Sequence, residues 1–239
     1  MIFPPVLALL LFPAMLLLLE LGRRFRLSRK EPVQAKPIES AVFALFGLLL
    51  AFTFSGAVTR YDAHRQLVVR ETNAIGTAYL RLDLLPAAAQ PALRQLFRDY
   101  TTSRLHLFDG VREEVSPESQ RLQLAIWRQS IAVSPPDSSR LLLPAINDMI
   151  DITSTRQSAF NMHPPVAVFL LLFTFSLGCA FLAGYGMSPG PRNWLYLLAL
   201  SAAVTLTVYS TLEIEFPRQG LLRLRHTDSA LINLRNSMN

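Results

Sequence analysis

The stretch that determines the fold is FGLLLAFTFSGAVTRYDAHRQLVVRETNAIGTAYLRLDLL, residues 46–85. Residues 46–58 are apolar and uncharged, whereas residues 59–85 mix charged and apolar side chains and end at Pro86. No proline interrupts the stretch, so it predicts one continuous helix that crosses a membrane and continues into water.

One face of this helix carries small side chains inside the membrane. Gly47, Ala51, Ser55 and Thr59 recur every four residues, and this spacing lets a second helix approach closely or leaves room beside a pore. Outside the membrane the face continues through residues spaced by three and four: Tyr61, His64, Val68, Glu71, Ile75, Ala78 and Leu82. We therefore predict a packing face that is apolar except where His64 and Glu71 interrupt it.

Composition extends this prediction to the whole chain. The 239 residues are 51% hydrophobic and 17% charged, and the apolar residues concentrate in four uncharged runs, residues 2–19, 41–58, 166–187 and 194–212. Each run approaches the roughly 20 residues needed to cross hydrocarbon. The first could be a cleaved signal peptide, but no basic residue precedes it and GRRFRLSRK follows it, so we favour a retained span.

The segment between spans two and three has few glycines and no strand-like alternation. It predicts four helices: the extension of span two to Leu85, residues 91–115, a helix capped by Ser116, and residues 139–161. The predicted fold is an all-α membrane protein with four transmembrane helices and a helical bundle between spans two and three. We divide it into residues 1–58 (spans one and two), 59–163 (the extramembrane helical domain) and 164–239 (spans three and four with the tail).

The net charge of +6 reflects basic residues placed beside the membrane, so we exclude nucleic acid as a partner. The loop between spans one and two holds six basic residues: Arg23, Arg24, Arg26, Arg29, Lys30 and Lys36. Short basic loops favour the cytoplasm, which puts the helical domain and both termini on the opposite side. The expected partners are the lipid bilayer, further copies of the same chain and a small inorganic ion.

Glu71 is the candidate for an ion or proton site, with Arg70, Asn73 or His64 nearby. The alternative, which we favour, is a buried ion pair that fixes the register of the bundle. Glu213 and Glu215 follow the last span and either attract a cation or pair with Arg60 and Arg65, and we favour pairing.

The residue types that build catalytic and metal centres are scarce. The chain has one cysteine, Cys179, and its four histidines, His64, His106, His163 and His226, lie far apart in the sequence. No metal-ligand spacing, catalytic triad order or glycine-rich phosphate loop occurs. We predict no metal site, no cofactor and no enzymatic activity.

Two motifs, RQLVVRETNAIGTAYLRLDLLP and LEIEFPRQGLLRL, resemble the bestrophin-like family of bacterial membrane proteins, a family of unknown function. The resemblance covers roughly residues 40 to 235. It implies kinship with bestrophins, pentameric anion channels with four spans and a large helical part between spans two and three. It also implies a multi-pass protein of the bacterial inner membrane. Bestrophins keep the helical part in the cytoplasm, which is the reverse of the side that the charges favour, and no bestrophin neck sequence occurs here.

Two functions follow as hypotheses. The first is an oligomeric passive channel or transport component for a small ion. The second is a membrane-anchored sensing or scaffolding module whose helical domain binds a protein partner.

Overall fold

The computed structural model describes residues 4–28, 36–106, 115–187, 194–216 and 225–238. These residues are almost entirely helical: α1 Pro4–Leu27, α2 Lys36–Leu80, a 3-10 turn Arg81–Leu84, α3 Gln90–His106, α4 Pro117–Val133, α5 Pro136–Phe160, α6 Val166–Tyr185, α7 Trp194–Glu215 and α8 Arg225–Ser237. The described ranges contain no strand. The prediction of an all-α protein is confirmed.

Four of these helices, α1, α2, α6 and α7, are long and apolar enough to cross a membrane. They correspond to the four apolar runs of the sequence, so the predicted four-span architecture is confirmed. Helix α2 has 45 residues. At about 1.5 Å per residue this length exceeds a hydrocarbon layer of roughly 30 Å more than twofold, so α2 extends far beyond its span.

By their contacts the residues form two compact units, of which the first comprises Met1–Tyr61 and Pro164–Arg223. In this membrane unit α1 packs against both α6 and α7, with Met15, Leu19 and Leu172 in the core. Two glycines allow the close approach of α1 and α6. A Cβ on Gly22 would collide with the carbonyl oxygen of Phe181, and one on Gly184 with that of Leu19.

The second unit comprises Asp62–His163 and Leu224–Asn239. Its core joins the extension of α2 to α3, α4 and α5, and is centred on fully buried side chains that include Phe97, Tyr100, Ile126 and Met149. Ser116 caps α4 by accepting a hydrogen bond of 3.0 Å from the backbone N–H of Ser119.

Helix α8 packs against α3 in the second unit. Leu231 and Met238 are buried in its core, and Arg235 Nε donates a hydrogen bond of 2.8 Å to Thr102 Oγ1. The division that we predicted groups residues 164–239 with the spans, whereas these contacts group residues 224–239 with the helical unit. The apolar residues of α8 recur at three- and four-residue spacing, which gives the helix one face to bury.

Two predicted boundaries differ from the structure. Helix α2 ends at Leu80 and continues as a 3-10 turn, instead of running to Leu85. Helix α3 is described as far as His106, and residues 107–114 of its predicted range lie outside the described residues. Helix α5 begins at Pro136, earlier than predicted, because proline is favoured in the first turn, where its missing N–H has no helical partner.

Candidate functional sites

The small-residue face of α2 is exposed. Gly47, Ala51, Ser55 and Thr59 all lie on the surface, and no described atom comes within 4 Å of the position that a Cβ on Gly47 would take. Within the described part of the chain, no helix covers this face. Packing among the described residues therefore does not explain these small side chains, in contrast to Gly22 and Gly184.

Helix α2 is also the least covered of the four spans. Only 11% of its most apolar window is buried, compared with 28% for α1 and α6 and 33% for α7. Large side chains such as Phe52 are exposed beside the small ones. Its surface is thus available to lipid or to another copy of the chain.

At the end of the spans, Arg60 of α2 forms an ion pair with Glu215, the last residue of α7. The Nε of Arg60 lies 3.1 and 3.0 Å from the two carboxylate oxygens, and its Nη2 lies 2.8 Å from Oε2. The Glu215 side chain is 2% exposed and that of Arg60 is 35% exposed. This fork geometry positions both groups and supplies the charge that a buried carboxylate needs.

The other two candidates of this group have different neighbours. Glu213 is buried and accepts a hydrogen bond of 2.6 Å from the hydroxyl of Tyr209, one turn earlier on α7. Arg65 lies on the surface, with its Nη1 3.9 Å from Asp62 on its own helix. Glu213 and Glu215 are two residues apart, so they point to different sides of α7 and do not form one paired-carboxylate site.

In the helical unit, Glu71 of α2 is completely buried between two arginines. The Nε of Arg104, on α3, donates a hydrogen bond of 2.5 Å to Glu71 Oε1, and the Nη1 of Arg156, on α5, donates one to Oε2. Both arginines are themselves buried. One carboxylate therefore connects three helices.

These partners differ from the ones that we expected from the sequence. Arg70 and Asn73 are exposed, whereas Glu71 is buried. His64 contacts the ring of Phe160 edge-on, with the centroids 5.6 Å apart. Neighbours along one helix turn to different sides, so the partners of an inward carboxylate come from other helices.

The two arginines carry a signal that the sequence analysis missed. Arg104 follows Phe97 and Tyr100 at the spacing of a buried helical face, and Arg156 follows Met149 and Thr153 in the same way. An arginine at an otherwise apolar position of a bundle helix indicates a buried acidic partner, and Glu71 was the one acid already placed on an inward face.

Opposing effects act on the Glu71 carboxyl. Burial alone would raise its pKa, but the guanidinium groups of Arg156 and Arg104, through their charges and hydrogen bonds, hold the pKa below the ordinary value of 4.5. Glu71 lies on the helix 13 residues beyond Val58, where the apolar run ends, so this balance applies outside the membrane. The carboxylate is therefore ionised at neutral pH.

A neutral polar network lies in the same core. The Gln123 side chain donates hydrogen bonds of 3.0 Å to the Tyr100 hydroxyl and 3.2 Å to Thr153 Oγ1, and these two oxygens are 3.1 Å apart. Burial and the charge of Glu71 raise the pKa of Tyr100. These contacts satisfy buried polar groups on α3, α4 and α5 and fix the mutual register of the three helices.

The described residues contain no group of three or more His, Cys, Asp or Glu side chains that could hold a metal ion. Cys179 is a buried free thiol within α6. The buried carboxylates of Glu71 and Glu215 each form ion pairs with arginine.

Comparison with known proteins identifies the family. None of the curated proteins matches the chain. Three solved structures are similar over its whole length, all of a bacterial bestrophin homologue from Klebsiella pneumoniae with different single substitutions. The tryptophan-to-alanine variant is 14% identical and covers 97% of each chain, with a TM-score of 0.72. The isoleucine-to-threonine variant is 16% identical and covers 97% of this chain and 98% of the other, with a TM-score of 0.67.

At these identities the similarity shows a shared fold. The family itself is shown by sequence, because the model of the Bestrophin-like domain matches residues 6–228, nearly the entire chain. The resemblance seen in the two sequence motifs is thereby confirmed. The chain is an integral membrane protein that belongs to the Bestrophin-like family.

Proposed function

We propose that identical copies of this chain assemble into a ring and form a passive path for a small inorganic ion in the bacterial inner membrane. The observation that carries the proposal is the exposed face of α2 with Gly47, Ala51, Ser55 and Thr59. A face of small and hydroxyl side chains suits a narrow path, because the helices approach closely and hydroxyl groups line the passage.

The low coverage of α2 supports assembly. A span that buries so little of its surface in its own chain gains packing when it meets α2 of another copy. Leu48 and other exposed large side chains of α2 supply contact area, and the small residues allow a close approach. The same face thus serves both assembly and permeation in this proposal.

The ion pairs have structural roles in this proposal. Glu71 fixes the register of the helical unit through Arg104 and Arg156, and Arg60 fixes the end of α2 against α7 through Glu215. Both carboxylates have guanidinium partners, so neither is a free charge that would attract a permeating ion. Permeation then depends on the α2 face and not on these charges, and no catalysis is required.

The experiment has two parts, performed on the purified full-length protein. Light scattering or native mass spectrometry in detergent gives the number of copies, and the proposal expects a single defined oligomer. Liposomes that contain the protein should then release chloride or a monovalent cation down its gradient, and empty liposomes give the background. A monomer, or an oligomer with only background flux for both ions, contradicts the proposal.

The scaffolding hypothesis rests on a different observation. On α4, Leu124 and Ile131 are both exposed and lie seven residues apart, so they share a helix face that the described residues leave uncovered. A partner protein would cover that face. This function predicts that Leu124→Ser with Ile131→Ser abolishes a copurifying partner without changing ion flux, whereas the channel hypothesis requires no partner.

A further inference from the structure

A cavity of about 260 Å³ in the membrane unit has no role in the proposed ion path. It lies among α2, α6 and α7 and is open on one side. Its wall is largely apolar and includes Leu49, Phe52, Val168 and Phe169, with the Phe169 ring 6.0 Å from that of Phe216. Its polar lining includes Thr53 of α2 and the Arg60–Glu215 ion pair.

The cavity extends from inside the apolar runs to the level at which they end. Val168 is in the first turn of α6, Glu215 is the last residue of α7, and Arg60 follows the end of the apolar run of α2 at Val58. Such positions lie near the boundary between hydrocarbon and headgroups. The apolar wall therefore belongs at the depth of acyl chains, and the arginine belongs at the depth of phosphate and ester groups.

Part of the Arg60 guanidinium has no hydrogen-bond acceptor among the described residues. Its Nε and Nη2 bind Glu215, while among the described residues no acceptor binds its Nη1. Gly56 provides room for this end of the guanidinium, because a Cβ there would lie only 3.3 Å from Nη1. With about a third of the side chain exposed, the free N–H groups at the cavity can meet an acceptor oxygen from outside.

We propose that this cavity binds a phospholipid of the surrounding bilayer. One acyl chain lies against Phe52, Val168 and Phe169, and a phosphate or ester oxygen accepts from Arg60 Nη1. The volume is smaller than the roughly 300–1,000 Å³ of sites that enclose a small molecule, so it takes part of one chain while the rest of the lipid stays in the bilayer. Glu215 balances the charge of Arg60, so zwitterionic and anionic headgroups bind similarly.

The test uses the full-length protein, stripped of lipid in maltoside detergent. Phosphatidylethanolamine and phosphatidylglycerol should each raise the melting temperature by several degrees, because a ligand that binds only the folded state stabilises it. Glycerol phosphate, which has the headgroup chemistry without a chain, should cause no shift. Val168→Phe fills the cavity and should weaken lipid binding at least tenfold. The matched control is Leu170→Phe on the exposed side of the same helix.

Three results would overturn the proposal. An equal lipid-induced shift in Val168→Phe would show a general effect of lipid. An equal shift with glycerol phosphate would show a phosphate site without a chain. The third result concerns the lipid-free oligomer. If lipid does not shift the melting temperature of the parent, and Val168→Phe dissociates the oligomer, a neighbouring copy occupies the cavity. If Val168→Phe does not fold, Thr53→Leu replaces it, because this substitution narrows the cavity from α2. Native mass spectrometry then counts the lipids that this variant and Leu170→Phe retain.

Discussion

Glu71 and Arg104 form a completely buried contact between α2 and α3, with Arg104 Nε 2.5 Å from Glu71 Oε1. Arg156 of α5 binds the other carboxylate oxygen. Desolvation opposes the burial of charges, so such a pair persists only when each charged group has good partners. We therefore propose that the contacts of Glu71 with the two arginines favour one relative register of the three helices.

Replacing Glu71 with Leu should destabilise the protein strongly, because it leaves two buried arginines without their carboxylate. Loss of one member of a buried pair typically costs about 3–5 kcal/mol. Glu71→Gln keeps a hydrogen-bond acceptor of the same shape and should cost less. Thermal melting in detergent measures both, with the exposed Asp62→Leu on the same helix as the control. A Glu71→Leu protein as stable as the parent would contradict a stabilising role for the pair.

Acid should weaken the fold through the same carboxylate. Because the pKa of Glu71 in the folded protein is below 4.5, its contribution to stability is fully present above that pH. Below it, the unfolded carboxyl binds a proton first, and the contribution is lost as the pH falls through the folded pKa. The melting temperature of the parent should therefore fall more steeply with acidification than that of Glu71→Gln. If the melting temperatures of the parent and of Glu71→Gln fall in parallel as the pH decreases, another titrating group dominates the acid sensitivity.

Ala51→Leu tests the exposed face of α2. A bulky side chain there should either separate the copies or block the path between them. Loss of the oligomer would indicate helix packing, and an intact oligomer with lost flux would indicate a pore wall.

Ala203→Leu is the matched control, because Ala203 is an exposed alanine of α7. It should change neither the oligomer nor the flux. If Ala51→Leu also changes neither property, the α2 face contacts lipid and the proposed function loses its main support.

Removing Arg60 should destabilise the membrane unit, because the buried Glu215 carboxylate loses its contacts with this guanidinium. We expect Arg60→Ala to cost about 2 kcal/mol, less than for a fully buried pair, since water screens the exposed third of Arg60. Arg65→Ala is the control: its pair with Asp62 is on the surface and should contribute at most about 0.5 kcal/mol. Equal melting temperatures for the two variants would contradict this ranking.

Membrane orientation is the fifth prediction. The positive residues between spans one and two favour the cytoplasm, which places the C-terminus outside it. A reporter enzyme that is active only outside the cytoplasm, fused after Asn239, should therefore be active. A fluorescent protein that folds only in the cytoplasm should not be. Because α8 packs against α3, the fusion also reports the side of the helical unit. The reverse result would give the orientation that the bestrophin resemblance implies.

The sequence alone determined the four spans and the all-helical class, because both depend on local properties. An apolar run of about 20 residues is long enough to cross a membrane, and a single segment that crosses does so as a helix, because its backbone must hydrogen-bond within the segment. The Ser116 cap could also be predicted, since it depends on a few adjacent residues. The two motifs indicated the family because each is a short continuous run of residues.

Only the tertiary structure decided which residues meet. Arg104 and Arg156 are 33 and 85 residues from Glu71, and no local pattern specifies which inward arginine reaches a given carboxylate. The position of α8 against α3 depends likewise on matching two distant apolar faces. The small-residue stripe of α2 could be predicted from the sequence, but its surroundings could not. The sequence revealed the stripe, but only the folded chain showed that no described helix covers it, because coverage is a property of the packed molecule.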